Sequence, residues 1–235
     1  MGEPRDVPGL LAGLLDDPGR PRLTWYGPDA ERVELSGKVL LNWISKTANL
    51  LVDELDAGPG STVGIELPAH WRAVTWVLAT WAAGAHAVVA PQEPVDVLVT
   101  TDPRPVAGSQ VVAVALPALA TSFGPELPAG ALDAATETRL QPDVFHPAQA
   151  PDAADPAFTA AGRTMPYGDL VAAARTNAIG SGLHPGDRVL AGAGPEDAVV
   201  GWLGVLALDG SIVLHHDVGA ATDALVEQEG VTRRR

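Results

Sequence analysis

The chain has 235 residues, 46% of them hydrophobic, so it is long enough to enclose a sizeable core. Fifteen basic residues against 29 acidic ones give a net charge of -14, which disfavours nucleic acid or an anionic membrane as a partner because neutralising phosphate needs clustered basic residues. Cysteine is absent, which excludes disulfides, thiol nucleophiles and Cys-ligated metals. No apolar run approaches the ~20 residues of a membrane span, and residues 10–15 are too short for a signal peptide. We therefore expect a cytoplasmic protein.

The predicted elements alternate between strands and helices. A short helix at residues 7–15 precedes two β-rich runs, 23–26 and 32–35, and the polar turn 27–29 between them predicts a β-hairpin. Ser36 can cap the helix that follows. The buried face of that helix is predicted from six positions at helical spacing, Leu40, Ile44, Thr47, Ala48, Leu51 and Leu55.

Two stretches, 59–90 and 185–216, align with each other without a gap. Each contains a Pro-Gly turn, a short strand, an apolar helix, a glycine and a second strand, which is the order of a βαβ unit in a parallel sheet. The matched residues are Pro59 with Pro185, Gly60 with Gly186, Val63 with Val189, Val74 with Val200, Trp76 with Trp202, and Gly84 with Gly210. We therefore expect two repeats related by a pseudo-two-fold axis, with Trp76 and Trp202 at equivalent places.

The segments between the repeats are assigned from local composition. The β-rich runs 95–101 and 111–116 are expected to join the edge of the first sheet. Residues 123–156, rich in Pro, Ala and Asp, are interpreted as a linker with a short strand or helix near 136–141. Pro166 suits the first turn of the helix that opens the second half.

The whole pattern predicts an α/β fold, a layered αβαβα-type arrangement with mainly parallel sheets. We expect a single domain over residues 1–235, with repeat one at about 23–122 and repeat two at about 157–235. A short acidic helix at 220–229 follows repeat two's second strand. Residues 233–235, three arginines, are the one basic run and are expected to be an exposed, frayed tail.

These motifs, taken in order, resemble the front part of the adenylate-forming superfamily, the acyl-CoA synthetases and adenylation domains. Residues 23–91 are similar to the family's hairpin, amphipathic helix, Pro-Gly turn and valine-rich strand. Residues 167–232 are similar to its later helix, Leu-x-Pro-Gly-Asp-Arg-Val pattern and Gly-Val-Thr, and 183–189 carry the strongest local match. The resemblance implies the fold of the N-terminal region of acyl-CoA synthetases, truncated before the C-terminal catalytic domain, and a likeness to short uncharacterised AMP-binding-like proteins of actinobacteria.

The family's phosphate-gripping loop, Ser/Thr-Gly-Thr-Thr-Gly-x-Pro-Lys-Gly, corresponds to residues 158–166 of this chain. Thr159, Gly162 and Thr164 are its residual positions and the candidate cofactor-binding residues, whereas the lysine and most of the glycines and hydroxyls are missing. A phosphate loop works by presenting several backbone N–H groups and a cation, so this version should present far fewer. No catalytic residue and no metal ligand is assigned.

A second motif imitates a dinucleotide fingerprint. Gly192 and Gly194 lie between a strand and a helix, and Asp217 follows the next strand. Glu196 and Asp197 at the helix N-terminus would repel a pyrophosphate, because they supply the negative charge that the helix dipole favours. A structural turn is the preferred interpretation.

The histidines do not form a predicted metal site. His215 and His216 adjoin Asp217, but adjacent strand residues face opposite sides of a sheet, so both imidazoles rarely reach one ion. The remaining four histidines are isolated in sequence and are expected to be surface or structural residues, His70, His86, His146 and His184.

These observations favour a degenerate, noncatalytic acyl-CoA synthetase-like protein, a pseudoenzyme acting as a binding or interaction module with no cofactor. Two alternatives stay open: a weak binder of ATP, AMP or acyl-CoA at residues 159–164, and one part of a split ligase completed by another chain. The sequence predicts that the second sheet stops after about two strands, which leaves an open edge. We expect a second copy or a protein partner to cover strand 211–215 or helix 196–208, unless the N-terminal arm or the linker covers it.

Overall fold

The computed structural model describes residues 3–28, 31–124, 127–192 and 194–235. The chain divides into two compact units, each with one sheet. Unit 1 comprises Met1–Leu41, Pro68–Val74 and Gly168–Arg235, and unit 2 comprises Asn42–Leu67 and Thr75–Tyr167. The limits of the predicted repeats, near 123 and 157, do not coincide with these boundaries.

Seven α-helices and twelve strands are present in the described part of the chain. The helices are α1 Val7–Gly13, α2 Gly37–Asn49, α3 Trp71–Ala82, α4 Ala134–Leu140, α5 Tyr167–Gly180, α6 Gly204–Ala207 and α7 Asp223–Gln228. The strands are β1 Pro21–Tyr26, β2 Arg32–Ser36, β3 Thr62–Glu66, β4 His86–Val89, β5 Val97–Thr100, β6 Gln110–Ala113, β7 Leu132–Asp133, β8 Pro156–Ala160, β9 Arg163–Pro166, β10 Arg188–Ala191, β11 Ser211–His215 and β12 Arg233–Arg234. Among these helices, none is long and apolar enough to cross a membrane.

The sheet of unit 2 has seven strands in the order β7-β6-β5-β3-β4-β8-β9. All neighbours are parallel except β8 and β9, which form a hairpin. Helix α3 connects β3 to β4, and Trp81 near its end donates from Nε1 to the carbonyl oxygen of Ala157 in β8 at 2.9 Å. The Trp81 ring also meets Phe158 edge-on, with centroids 5.7 Å apart. One face of this sheet is therefore covered by the crossover helix.

The other face of the same sheet is crossed by a loop, residues 90–96, which carries the chain from β4 over β3 to β5. Gly64 in β3 permits this close passage. A Cβ at Gly64 would lie 2.8 Å from Pro91 Cγ and 2.8 Å from Val95 Cγ2, which is inside van der Waals contact. The loop therefore lies directly against β3.

The sheet of unit 1 has five strands in the order β12-β10-β11-β1-β2. β10 and β11 are adjacent and parallel, and β1 is parallel to β11 and antiparallel to β2. The connection from β10 to β11 contains a 3₁₀ turn Pro195–Asp197, a π-helical segment Ala198–Leu203 and α6. Trp202 on this connection is fully buried.

Most local predictions are confirmed. β1 and β2 form the expected antiparallel hairpin, although residue 29 of its turn lies outside the described residues. The Ser36 hydroxyl accepts a hydrogen bond from the Val39 N–H at 3.4 Å, and all six apolar-face positions that follow are buried. Trp76 and Trp202 each lie on the helical connection between two adjacent parallel strands. Their superposition by a two-fold axis stays a prediction.

The ungapped alignment of the two βαβ units is wrong at the end of the helix. Gly84 ends α3 with φ of 81°, but the left-handed residue after α6 is Asp209, with φ of 54°, and not Gly210. Val189 pairs with Ile212, one residue earlier than the alignment places that partner. Gly210 is required for a different reason, because a Cβ there would lie 2.7 Å from the Asp187 carbonyl oxygen.

Two further features differ from prediction, the place of Pro166 and the position of β5 in the sheet. Pro166 is the last residue of β9, and α5 begins at Tyr167; a proline is tolerated there because a strand end needs no ladder N–H. β5 is an interior strand rather than an edge, since β3 and β6 pair with it on its two sides. Successive parallel strands extended the sheet outward to β7.

The predicted open edge along residues 211–215 is wrong. β11 pairs with β10 on one side and with β1 on the other, so the N-terminal hairpin, which is distant in sequence, fills the edge. The helix over 196–208 is also mostly buried. The outer strand β2 carries Arg32 and Glu34, and charged side chains on an edge disfavour pairing with another chain. The filled edge removes the reason for expecting a partner along residues 211–215, and a partner elsewhere stays a prediction.

The basic tail is not frayed. Arg233 and Arg234 form β12 beside β10, and the Arg235 N–H donates to the Leu190 carbonyl oxygen at 2.9 Å. The Arg235 guanidinium also forms two hydrogen bonds with the Asp197 carboxylate, at 2.7 and 2.9 Å. An acidic side chain far away in the sequence thus fixes a segment that looked solvent-exposed.

Candidate functional site

The residual phosphate-loop positions form a tight β-hairpin in unit 2. Ala161 and Gly162 connect β8 to β9, with φ of 49° and 73°. Positive φ at both central residues is typical of a type I′ turn, which suits a two-residue hairpin. Thr159 and Thr164 are direct cross-strand partners, so their side chains lie on the same face of the sheet.

A chain of three hydrogen-bonding side chains begins at this hairpin. The Thr159 and Thr164 hydroxyl oxygens are 2.7 Å apart, and His86 Nε2 on β4 is 2.8 Å from Thr159 Oγ1. Burial lowers the pKa of His86, so the neutral imidazole predominates at pH 7. Thr159 is therefore held on both sides before any ligand arrives. His86, isolated in the sequence, is thus a hydrogen-bonded residue as expected, and its partner could not be named in advance because β4 and β8 are neighbours only in the sheet.

A cleft of about 630 Å³ opens on the sheet face beside this chain of side chains. It lies between the hairpin turn and the loop 90–96, and such a volume is within the range of small-molecule sites. Its walls are Thr62, Val88, Val89, Ala90, Pro91, Gln92, Glu93, Pro94, Val95, Thr159, Ala161 and Gly162. Two of the three sequence-predicted site residues, Thr159 and Gly162, thus line the cleft. Thr164 does not line it but hydrogen-bonds to Thr159.

The electrostatics of this cleft do not favour a polyphosphate. Among its lining residues, no lysine or arginine is present, and Glu93 is the charged one. Arg163 is near in sequence but pairs with Ala160, so strand alternation directs it to the opposite face from Thr159. Arg104, close to the loop, is held by the Glu66 carboxylate through two hydrogen bonds of 3.1 Å. The cleft offers an apolar surface with a few neutral hydrogen-bonding groups.

The turn at Gly192 is structural. A Cβ at Gly192 would lie 2.4 Å from Val218 Cγ1, so the backbone is packed against a neighbouring side chain. The Glu196 carboxylate accepts a hydrogen bond from the Gly194 N–H at 3.1 Å and fills the place a phosphate would need. Asp217 instead caps a 3₁₀ turn by accepting from the Gly219 N–H at 3.1 Å. Residue 193 lies outside the described part of the chain.

The adjacent histidines His215 and His216 stack, with ring centroids 4.8 Å apart. His215 Nδ1 accepts from the Asp217 N–H at 3.1 Å, which satisfies that nitrogen. Within residues 3–28, 31–124, 127–192 and 194–235, no group of three His, Cys, Asp or Glu side chains could hold a metal ion.

Comparison with solved structures defines the class of protein to which this fold belongs. The chain superposes on an acyl-CoA synthetase from Brucella canis with a TM-score of 0.77 over 99% of its length, at 18% identity. It superposes on the acetoacetyl-CoA synthetase of Streptomyces lividans with a TM-score of 0.74 over 97%, at 21% identity. The chain spans 48% and 41% of those two proteins. Its fold is that of the acyl-CoA synthetases, as the sequence predicted.

A relative in sequence gives the family. No protein-family profile matches the chain. A TIGR03089 family protein of Mycobacterium tuberculosis is 38% identical over 226 residues, which cover 88% of this chain and 90% of that protein. The chain belongs to the TIGR03089 family.

Proposed function

We propose that this protein is a noncatalytic member of the acyl-CoA synthetase fold that binds a small, largely apolar ligand, such as an acyl chain, in the cleft of unit 2. The observation that carries the proposal is the lining of the cleft. It combines apolar side chains, a hydrogen-bonded Thr159 and no cation among the described lining residues. A nucleotide triphosphate needs the opposite, a cation and several free donors.

The hairpin geometry supports the proposed loss of adenylation. Removing one donor from an oxyanion or phosphate clamp commonly costs 10²- to 10³-fold in rate, about 3 to 4 kcal/mol. Here Thr159 Oγ1 and Thr164 Oγ1 hydrogen-bond to each other at 2.7 Å, and no lysine follows them before α5. Several donors that would contact phosphate are therefore either missing or already used.

The binding role is tested with ligand-dependent thermal stability. Medium-chain fatty alcohols and carboxylic acids are expected to raise the melting temperature, whereas ATP with Mg²⁺ and AMP are expected to leave it unchanged. Val88→Phe should abolish the ligand effect because Val88 lines the cleft between Gly64 and Thr159. Val144→Phe is the matched control, since Val144 is 61% exposed and lies outside the cleft.

Stabilisation by ATP at micromolar concentration, lost in Thr159→Ala, would favour the nucleotide-binding alternative instead. Stabilisation by acyl ligands that survives Val88→Phe would place binding elsewhere and remove the proposed site.

A split ligase is the second candidate, and the observation that favours it is the extent of the match. The chain spans 48% and 41% of the two acyl-CoA synthetases, and in a split ligase the remaining part would be supplied by another protein. Carboxylate-dependent exchange of pyrophosphate into ATP would support this candidate if it appeared only after a partner from cell extract was added. Light scattering on the purified chain, across micromolar concentrations, separates a monomer from a homodimer.

A further inference from the structure

The segment of residues 222–235 has one buried residue, and that residue is charged. We call this segment the strap. Its helix α7, capped by the Thr222 hydroxyl, has no fully buried residue, and its two larger apolar side chains, Leu225 and Val226, stay partly exposed. Glu229 is 9% exposed. A segment attached by apolar burial would show the reverse pattern.

The Glu229 carboxylate is surrounded by donors from unit 1. Its Oε1 accepts from Arg32 Nη2 at 3.0 Å and Arg32 Nε at 3.1 Å, and also from the Tyr26 hydroxyl. Its Oε2 accepts from Arg188 Nη2. Two guanidinium groups and a phenol thus converge on one carboxylate, and charge-assisted hydrogen bonds of this kind are the strong ones.

These donors are oriented by the sheet as well as by the strap, in which the Glu229 carbonyl oxygen accepts from Arg188 Nε at 2.6 Å. Arg188 also donates to Thr24 Oγ1 at 3.0 Å and to Ser211 Oγ at 3.2 Å. Arg32 Nη2 is 2.6 Å from Glu34 Oε2 on the same strand. The three residues that orient the guanidinium groups, and the donors themselves, lie on strands β1, β2, β10 and β11. The arrangement is therefore preorganised to receive a carboxylate from whatever source.

The balance of charges at this site also favours an anion at the place of Glu229. The two guanidinium groups of Arg32 and Arg188 face two carboxylates, those of Glu34 and Glu229. Without Glu229, one positive charge would stay uncompensated in a partly buried place, and an anion would be attracted to it.

The strap has further attachments to unit 1. Backbone bonds join the Thr232 N–H to the Arg188 carbonyl oxygen at 2.8 Å and the Arg235 N–H to that of Leu190 at 2.9 Å. The Arg235 guanidinium also pairs with the Asp197 carboxylate at 2.7 Å, with the two side chains 27% and 18% exposed. The ion pair between Arg234 and Asp223 is exposed, and exposed pairs contribute little. Glu229 is the one buried anchor of the strap.

We propose that Tyr26, Arg32 and Arg188 form a carboxylate-binding site, that Glu229 occupies it as an internal ligand, and that a free small monocarboxylate takes it when Glu229 is absent. This inference is independent of the cleft in unit 2 and of the ligand proposed for it.

Chemical rescue of Glu229→Ala tests the proposal. The variant is expected to melt below the wild type, and sodium formate or acetate should restore part of the loss. A ligand of three or four heavy atoms is expected to bind with a Kd of about 1 to 10 mM, so a tenfold excess should raise the melting temperature by about 3 to 5 °C. Sodium chloride at equal ionic strength and neutral acetamide should not reproduce this rise.

Glu227→Ala is the matched control, because Glu227 is exposed on the same helix and none of its side-chain atoms contacts the three donors. The wild type and Glu227→Ala should show no carboxylate-specific stabilisation, since Glu229 already fills the site and competes at a high effective concentration. If Glu229→Ala does not fold, Glu229→Ser also removes the carboxylate and vacates its place, and formate binding to it is measured by calorimetry. Equal formate effects in all four proteins, or none beyond chloride in either Glu229 variant, would overturn the proposal.

Discussion

The two βαβ units of this protein share a plan but present different chemistry on the sheet faces beside them. In unit 2, β3, α3 and β4 adjoin a cleft whose charged lining residue is Glu93 and whose other described walls are uncharged. In unit 1, β10 and β11 belong to a face on which Arg32 and Arg188 hold a buried carboxylate. The fold is the same, so the difference lies in the side chains on those faces and in what covers them. A shared fold consequently does not carry a shared function.

The C-terminal ends of α3 and α6 also differ in side chain although their places in the two βαβ units correspond. α3 ends in the left-handed residue Gly84, which costs nothing in conformation, and α6 ends in left-handed Asp209. Asp209 compensates for an unfavourable backbone conformation by ion pairs with Arg20 at 3.0 Å and Arg22 at 2.6 Å. The helix end in unit 2 thus uses a glycine, whereas the helix end in unit 1 uses an aspartate held by two ion pairs.

The largest expected effect comes from Arg188→Ala, which removes one guanidinium from Glu229. We expect a loss of about 3 kcal/mol in the free energy of unfolding, because a nearly buried carboxylate keeps only part of its compensation. Urea denaturation measures it. A loss no larger than that of an exposed arginine elsewhere would mean that the ionic face of unit 1 does not stabilise the fold.

A smaller loss is expected for Gly84→Ala in unit 2. The backbone at Gly84 has φ of 81°, and an added Cβ would lie 3.0 Å from Pro59 Cγ, so we expect about 1 to 2 kcal/mol of destabilisation. Gly60→Ala is the matched control, with φ of 91° and no atom within 4 Å of the added Cβ. Gly60→Ala should cost less than Gly84→Ala, and the reverse order would contradict the close contact with Pro59.

The pH dependence of the free energy of unfolding tests the contribution of Glu229 separately. Burial alone would raise the pKa of Glu229, but hydrogen bonds from Tyr26, Arg188 and Arg32 outweigh it and lower the pKa below its ordinary value of 4.5. A lowered folded-state pKa contributes stability that is fully present above the unfolded pKa and is lost as pH falls through the folded one. The stability difference between wild type and Glu229→Gln should therefore be largest above pH 4.5 and shrink below it. Denaturation curves at pH values from about 3 to about 7 measure this difference. A difference that stays constant over this range would contradict the prediction.

The smallest effect is expected for Arg104→Ala in unit 2. Arg104 and Glu66 form a bidentate pair, but Arg104 is 51% exposed, and exposed pairs are screened by water and salt. We expect no measurable shift of the urea midpoint. A shift comparable to that of Arg188→Ala would remove the contrast between an exposed pair and a buried one.

Much of the candidate site could be named from the sequence, but its surroundings could not. Thr159 and Gly162 were identified from a resemblance to a phosphate loop, and the structure places both on the cleft. Their role in holding a ligand stays a prediction. His86 was missed because it lies 73 residues from Thr159 in the sequence, and nothing in a local pattern indicates that β4 and β8 are neighbours. Only a sheet order could have shown it.

The sequence by itself determined the local elements, because these depend on interactions between nearby residues. The hairpin of β1 and β2, the cap at Ser36 and the two βαβ units follow from turn chemistry, capping and hydrophobic periodicity. Tertiary structure alone decided which strand lies beside β11, which acid fixes Arg235 and where the Glu229 carboxylate is buried. These contacts join residues far apart in the chain. The local sequence around each residue does not indicate which distant residue it will contact, so a single sequence cannot predict them.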